Sequence, residues 1–292
     1  MKPVPFDYAR PTELAEALDL LAEHGERARV LAGGQSLVPQ LATREVRPAL
    51  VVDINRVDGL DRIRREAGGV ELGATVRQRT VERDAATAGA VPLVAQALPL
   101  VGHAGTRNRG TVAGSIAFAD PAAELPSVLV ACGGSVEVRS RAATRTIAAG
   151  ELFVGHRRTV LTATELVTSV CFPAVDARAG SCWLEFGRRP GDLPLVGVAA
   201  VVTVDPDGRI ARMSVVCGGV HDTPWMVEAA GEAVNEPLTA EAIAHVAAEA
   251  ARACRPVDDV RTTAAHRRLL VRALVRRALA EAGAKAGRAD AA

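Results

Sequence analysis

The chain has 292 residues, 49% of them hydrophobic and 24% charged, and a formal net charge of +1 at pH 7. This length fits one large domain followed by a smaller one. The balanced charge, without a basic block interleaved with aromatic residues, argues against nucleic-acid binding. No segment has the length and hydrophobicity of a signal peptide or a membrane-spanning helix, so we expect a cytoplasmic protein without a membrane span.

The first predicted elements alternate between helix and strand. Apolar residues recur at helical spacing from Leu14 to Leu21 and predict a helix over residues 12–24. Thr12 is its predicted cap and Gly25 its predicted stop. Further along the chain, the hydrophobic pattern predicts strands at residues 29–31, 50–54, 69–72, 135–139 and 166–172, and helices at residues 76–88, 92–100 and 123–132.

A segment with proline and glycine at residues 173–180 breaks this pattern and is a candidate linker. Beyond it, strands are predicted at residues 181–186, 198–204 and 209–217, with DPDG at residues 205–208 as a hairpin turn. Helices are predicted at residues 225–234, 239–252 and 263–281. Strands followed by helices are typical of an α+β domain. The small and polar residues 285–292 predict a disordered tail.

The cysteines do not form a recognisable metal site. No C-x-x-C pair is present, whereas zinc and iron–sulfur sites use closely spaced thiolates. An odd number of separated cysteines suits a reducing compartment, so we expect buried free thiols. Because the sequence also shows no nucleophile–base pair, we assign neither a catalytic residue nor a metal ligand. The cysteines are residues 132, 171, 182, 217 and 254.

Two glycine-centred loops carry the functional signal: AGGQSL at residues 32–37 and the longer segment at residues 105–126. Glycine permits positive φ and removes the Cβ, so that backbone N–H groups can converge on an anion. Two such loops would together hold a diphosphate, and FAD is a natural ligand. Taken alone, Gly33 and Gly34 are more typical of a tight strand-to-helix turn. The chain contains neither G-x-G nor G-x-x-x-x-G-K, which disfavours nicotinamide-type and P-loop folds.

Six segments occur in a fixed order: AGGQSL, VVDINRV, ELGATV, VGHAGTRNRGTVAGS, ADPAAELP and FGRRPGDLPLVGVAAV. Together they resemble the FAD-binding subunit of the molybdenum hydroxylases, which include aerobic carbon monoxide dehydrogenase and xanthine dehydrogenase. The resemblance covers almost the whole chain. It implies an α+β fold, with a two-part FAD-binding domain of the PCMH type at residues 1–175. A smaller α+β domain of the carbon monoxide dehydrogenase flavoprotein type, with a three-stranded sheet and helices, is implied at residues 179–284.

The resemblance also implies which residues contact FAD. Residues 32–36 and 111–115 flank its pyrophosphate, and Leu161 is an apolar contact near the flavin. Asp120 has a rival explanation, because Asp-Pro before a helical run is a typical N-cap. Glu124, one turn later, could accept hydrogen bonds from ribose or ribityl hydroxyls. The candidate cofactor-binding residues are Ala32, Gly33, Gly34, Gln35, Ser36, Leu37, Thr111, Ala113, Gly114, Ser115, Asp120, Glu124 and Leu161.

Other residues near these motifs have less specific interpretations. Arg107 and Arg109 could pair with phosphate, but paired arginines more often lie on a solvated loop or an interface, which is the interpretation we favour. The chain departs from the family pattern at three positions. Ala113 replaces the usual glycine, Leu193 replaces a frequent aromatic residue, and Pro194 replaces a small residue.

The sequence therefore predicts an FAD-dependent oxidoreductase subunit that transfers electrons. By resemblance, the substrate is oxidised at a molybdopterin site in a large partner subunit. Electrons then pass through the 2Fe–2S clusters of a small partner subunit to this FAD, and on to an external acceptor. Two alternatives stay open: a stand-alone FAD-dependent oxidase or dehydrogenase, and a scaffold protein that has lost flavin.

Overall fold

The computed structural model describes residues 2–66 and 68–287 of the chain. Residues 288–292 of the predicted tail lie outside the described residues. In the described part, no helix is both long and apolar enough to cross a membrane. The five cysteines are free thiols, of which four are buried and Cys171 is half-buried.

A small parallel sheet begins the fold. Strands β1 (Asp7–Ala9) and β2 (Ala28–Leu31) both pair in parallel with β3 (Leu50–Asp53), which lies between them. Helix α1 (Leu14–His24) buries three residues of its apolar stripe and ends at Gly25, as predicted. Its N-cap is Glu13, without a side-chain hydrogen bond, so the predicted cap at Thr12 is wrong.

A five-stranded antiparallel sheet follows. Its strands are β4 (Ile63–Glu66), β5 (Gly69–Gly73), β6 (Ser135–Arg139), β7 (Thr144–Ala148) and β10 (Leu166–Pro173), and a hairpin of β8 (Phe153–Gly155) and β9 (Arg158–Thr159) precedes β10. The strand order is β4-β5-β10-β6-β7. The last strand in sequence, β10, therefore lies at the centre of the sheet, and its apolar run from Leu166 is buried on both faces.

The segment between β5 and β6 is helical. The predicted helix over residues 76–88 divides into two because Asp84 caps the second one, its side chain accepting from the Thr87 N–H at 2.9 Å. The last helix of this segment is buried along its whole length. Together with one helix before β3 and one after β7, the helices from β2 to β8 are α2 (Leu37–Thr43), α3 (Gln78–Glu82), α4 (Ala85–Ala90), α5 (Pro92–Ala97), α6 (Ala104–Arg109), α7 (Val112–Phe118), α8 (Glu124–Cys132) and α9 (Ala149–Leu152).

A second antiparallel sheet contains the three long strands that the sequence predicts. They are β11 (Ala179–Phe186), β12 (Val196–Val204) and β13 (Ile210–Gly218), with Gly208 at φ +77° in the predicted turn. A two-residue strand, β14 (Trp225–Met226), extends this sheet to four strands, so the helix predicted at residues 225–234 is shorter than expected. The remaining helices are α10 (Glu228–Glu232), α11 (Ala240–Ala253) and α12 (Ala264–Lys285).

Strand β12 is buried on both faces and connects the two parts of the fold. Val198, Ala200 and Val202 pack into one core with residues of α11 and α12. Ala199 and Val201, which point the other way, belong to the core that contains α8. The loop between β11 and β12 and the beginning of α8 both line one cleft.

Candidate functional site

The two glycine loops meet at their backbones. The first loop leaves the end of β2. Most of the second segment, residues 105–126, is helical rather than loop, and its part that meets the first loop is the junction between α6 and α7 at residues 109–111. A Cβ atom on Gly33 would lie 2.6 Å from the Arg109 carbonyl oxygen and 2.7 Å from the Gly110 Cα. Only glycine allows this approach, because the opposing atoms are backbone atoms that cannot rotate away. Gly34 adopts φ +73°, so the neighbouring glycine supplies the left-handed turn.

Both loops line a cleft of about 680 Å³, a volume typical of ligand sites. Gly191 and Leu193, in the loop between β11 and β12, also line this cleft. All the candidate cofactor-binding residues line it except Ala113 and Leu161. Those two line a neighbouring pocket of about 350 Å³, which shares Ala32 and Gly114 with the cleft and is mainly apolar.

Several backbone donors of the two loops are unpaired. Among the described residues, the N–H groups of residues 33–36 have no protein acceptor, and neither have those of Thr111 and Ala113. The Gly114 N–H donates instead to the Thr111 hydroxyl oxygen at 3.0 Å, which caps α7. Unpaired N–H groups on two adjoining loops are suited to bind an anionic group such as a diphosphate.

Asp120 does not cap the helix that follows it. Helix α8 begins at Glu124 with Ala123 as its N-cap, so the N-cap interpretation of Asp120 is wrong. The carboxylate instead closes a turn by accepting from the Ala122 N–H at 3.0 Å, and it pairs with Arg157 at 3.1 Å. The side chain is buried and faces the cleft, so its contact with a cofactor stays a prediction.

Glu124 is the most unusual titratable group of the cleft. It is 2% exposed, and no other side chain forms a hydrogen bond with its carboxyl group in the described part of the chain. Burial raises its pKa to about 8; a hydrogen bond from its own backbone N–H opposes this rise, and the nearby carboxyl groups of Glu185 and Asp120 contribute to it. At neutral pH the group is therefore mostly protonated and able to donate a hydrogen bond into the cleft.

The two arginines near the end of α6 have different environments. Arg107 is buried and forms an ion pair with Glu82 through two contacts of 2.8 and 3.1 Å, while also donating to the carbonyls of Val101 and Gly102. The prediction of a solvated or interface position is therefore wrong for Arg107. Arg109 is exposed, as expected.

Sequence reasoning missed Arg157, which lies in the β8–β9 hairpin and lines the cleft. Its guanidinium stacks over the Phe118 ring at 5.0 Å and pairs with Asp120 and Glu45. No local pattern indicates these contacts, because the partners lie 37 and 112 residues away in sequence. In the described residues, no group of three or more histidine, cysteine or acidic side chains could hold a metal ion.

Comparisons with known proteins identify the family of the chain. Residues 4–175 match the family model of the FAD binding domain in molybdopterin dehydrogenase, and residues 181–282 match that of the CO dehydrogenase flavoprotein C-terminal domain. The chain belongs to this family. It is an FAD-binding medium subunit of the molybdenum hydroxylase type and a subunit of an FAD-dependent oxidoreductase, so the resemblance, the α+β fold class and the cofactor are confirmed.

Individual relatives match along their full length. The chain is 38% identical to the 6-hydroxypseudooxynicotine dehydrogenase complex subunit alpha of Paenarthrobacter nicotinovorans, over 97% of this chain and 96% of the relative. It is 31% identical to the carbon monoxide dehydrogenase medium chain of Afipia carboxidovorans, over 98% and 99%. The solved structure of carbon monoxide dehydrogenase from Hydrogenophaga pseudoflava matches with a TM-score of 0.95 and 30% identity, over 98% and 100%.

Proposed function

We propose that this chain binds FAD in the cleft and relays electrons from an iron–sulfur cluster of a partner subunit to an external acceptor. The partners would be a molybdopterin-binding large subunit and a 2Fe–2S small subunit. The observation that carries the proposal is the contact between the two glycine loops, whose unpaired N–H groups line one cleft. The similar proteins support it, because their names describe medium chains and subunits of dehydrogenase complexes.

Bound FAD supplies the ability to accept electrons and release them one or two at a time. The N–H groups of residues 33–36, together with that of Thr111, would hold its diphosphate. Glu124 and Asp120, which also line the cleft, would contact its ribose or ribityl hydroxyls. Leu193, which is 43% exposed, would leave the cleft open to a second molecule.

We also propose a division into domains at residues 1–175 and 179–284. The short connection between β10 and β11, residues 174–178, supports this boundary. We further propose that the protein works in the cytoplasm, where its five free thiols would stay reduced.

The scaffold alternative finds no support at Ala113. The methyl group of this residue is buried in the N-terminal core and does not line the cleft. It therefore leaves the space between the two loops open. The stand-alone enzyme alternative is favoured only by the exposed Leu193, and the relay predicts the same exposure.

Flavin binding is tested by titrating the flavin-free chain with FAD, FMN and ADP. If the two loops hold a diphosphate, FAD binds more tightly than FMN, and ADP competes with FAD. The measurement is flavin fluorescence, with the visible spectrum of the isolated protein as an independent check. A colourless protein that does not bind added FAD would contradict the proposal.

The relay is tested on the complex purified from its native host. The expected partners bring molybdopterin and iron–sulfur absorbance with them. After removal of flavin, the reduced clusters are expected to be reoxidised slowly by an added acceptor, and rapidly once FAD is restored. Reoxidation at the same rate without FAD would exclude the relay, and turnover of a metabolite by the isolated chain would favour the stand-alone enzyme.

A further inference from the structure

A chain of hydrogen bonds connects the two glycine loops through two side chains that do not line the cleft. Asn55 donates from its side-chain amide to the Ala32 carbonyl of the first loop at 2.8 Å. Its side-chain oxygen accepts from Arg77 at 2.6 Å. The other arm of the Arg77 guanidinium donates to the Arg109 carbonyl of the second loop at 2.6 Å. Two side chains therefore bridge the two loops that would hold the diphosphate.

Asn55 is fixed in place by the end of the parallel sheet. It lies in a short turn directly after β3, and Asp53 accepts from its backbone N–H at 2.9 Å. Asp53 in turn accepts a hydrogen bond from Tyr8. Burial opposes ionisation of Asp53, but the hydrogen bonds from Tyr8 and Asn55 outweigh this effect and hold its pKa below the usual value. The bridge therefore starts from an ionised anchor.

Arg77 is fixed at the other end. Its backbone pairs with Thr111 of the second loop, and the adjacent Gln78 N–H donates to the Gly110 carbonyl at 2.9 Å. Burial, and secondarily the charge of Arg109, lowers the pKa of Arg77, yet two carbonyl or amide oxygens accept from its guanidinium. This leaves a positive charge behind both loops, which favours an anion in front of them.

Asn55 and Arg77 are both half-buried, and neither lines the cleft. We propose that they are positioning residues, which set the spacing of the two loops for a diphosphate without touching it. This inference rests on the proposed function in one respect, namely that the diphosphate of FAD binds between the loops. The ligand chemistry it concerns is the diphosphate alone, whatever is attached to it.

The test uses the flavin-free full-length chain with Arg77→Met, Arg77→Lys, Asn55→Ala and the double variant Asn55→Ala/Arg77→Met. Binding of FAD, ADP and riboflavin is measured by calorimetry, and thermal unfolding is recorded for each variant. Arg83→Met is the matched control, because Arg83 is exposed and directly follows helix α3, whereas Arg77 directly precedes it. Riboflavin has no phosphate and therefore reports on the rest of the cleft.

We expect Arg77→Met and Asn55→Ala each to raise the dissociation constants of FAD and of ADP by the same factor of about ten, which corresponds to the loss of one charge-assisted hydrogen bond. Riboflavin binding is expected to stay unchanged, and Arg77→Lys to recover part of the loss. The double variant is expected to bind no more weakly than the weaker single variant, because both substitutions interrupt one chain.

Different failures have different meanings. If wild-type protein binds neither FAD nor ADP, the proposed function fails. If wild type binds both and a folded Arg77→Met variant binds them equally well, the positioning role is overturned and the proposed function stands. Loss of FAD and riboflavin together, with ADP unaffected, would also overturn it. If Arg77→Met does not fold, Arg77→Lys is the test variant, because it keeps the charge but removes one of the two hydrogen bonds that the guanidinium donates. Wild-type affinity for FAD and ADP in Arg77→Lys would then overturn the positioning role.

Discussion

Replacing Gly33 by alanine directly perturbs the contact between the two loops. The added methyl carbon would lie 2.6 Å from the Arg109 oxygen, 2.7 Å from the Gly110 Cα and 2.9 Å from the Thr111 nitrogen. Real Cβ contacts essentially never fall below 3.0 Å, so the loops must move apart by several tenths of an ångström. Gly33 has no positive φ, unlike Gly34, so alanine here tests the contact without straining its own backbone.

The size of the effect follows from the rigidity of the surroundings. Overpacking of a close contact typically costs about 1–3 kcal/mol. Without ligand, the loops relieve the strain by separating, whereas FAD that spans both loops must bring them together again. The strain therefore falls mainly on binding, and we expect the dissociation constant of FAD to rise by a factor of about 5 to 150.

The assay is a fluorescence titration of the flavin-free variant with FAD, accompanied by thermal unfolding of the unliganded chain. Gly105→Ala is the control, because a methyl group there meets no atom within 4 Å. Gly105 lies in α6, so this control is expected to bind FAD normally and to gain slight stability from helix propensity. Wild-type affinity for FAD in Gly33→Ala would show that the two loops do not hold FAD jointly.

Three further predictions concern buried groups. Folding raises the pKa of Glu124 from 4.5 to about 8. As pH rises through this interval, the free energy of unfolding of the wild-type protein is therefore expected to fall relative to that of the Glu124→Gln variant. Denaturant titrations at several pH values measure this difference. Arg107→Met leaves Glu82 without its main partner and is expected to destabilise the chain by about 3 kcal/mol in urea unfolding, partly recovered by Glu82→Gln. Gly180→Ala would place a methyl carbon 1.9 Å from the Ala282 oxygen, so we expect a lower thermal midpoint with unchanged FAD affinity.

The sequence predicted those parts of the fold whose cause is local. The alternation of apolar and polar residues predicted strand β6 with both of its ends correct. The DPDG sequence predicted the hairpin turn, because glycine tolerates the positive φ that this turn needs. The two glycine loops were visible for the same reason, since an absent Cβ is a property of single residues. That the loops adjoin could be expected only from the family resemblance.

The sequence could not predict contacts between distant side chains. Arg107 pairs with Glu82, which is 25 residues away in sequence, and Asp120 pairs with Arg157, which is 37 residues away. No rule of residue spacing predicts pairs at such separations. Asp120 also shows why local signals mislead. Its Asp-Pro pair is a good cap pattern, but the chain makes a turn at Ala122 before helix α8 begins. The Asp120 carboxylate therefore closes this turn and pairs with the distant Arg157 instead of capping the helix.

The VVDINRV and ELGATV motifs contain or immediately precede the residues that join the loops. Asn55 lies in the first motif, and Arg77 follows the second directly, yet neither residue lines the cleft. Because β2 and β3 are parallel neighbours, the first loop and Asn55 emerge at the same edge of the sheet. On this reasoning, part of the affinity for FAD comes from hydrogen bonds that never reach it, and substitutions restricted to the cleft lining would leave that part undetected.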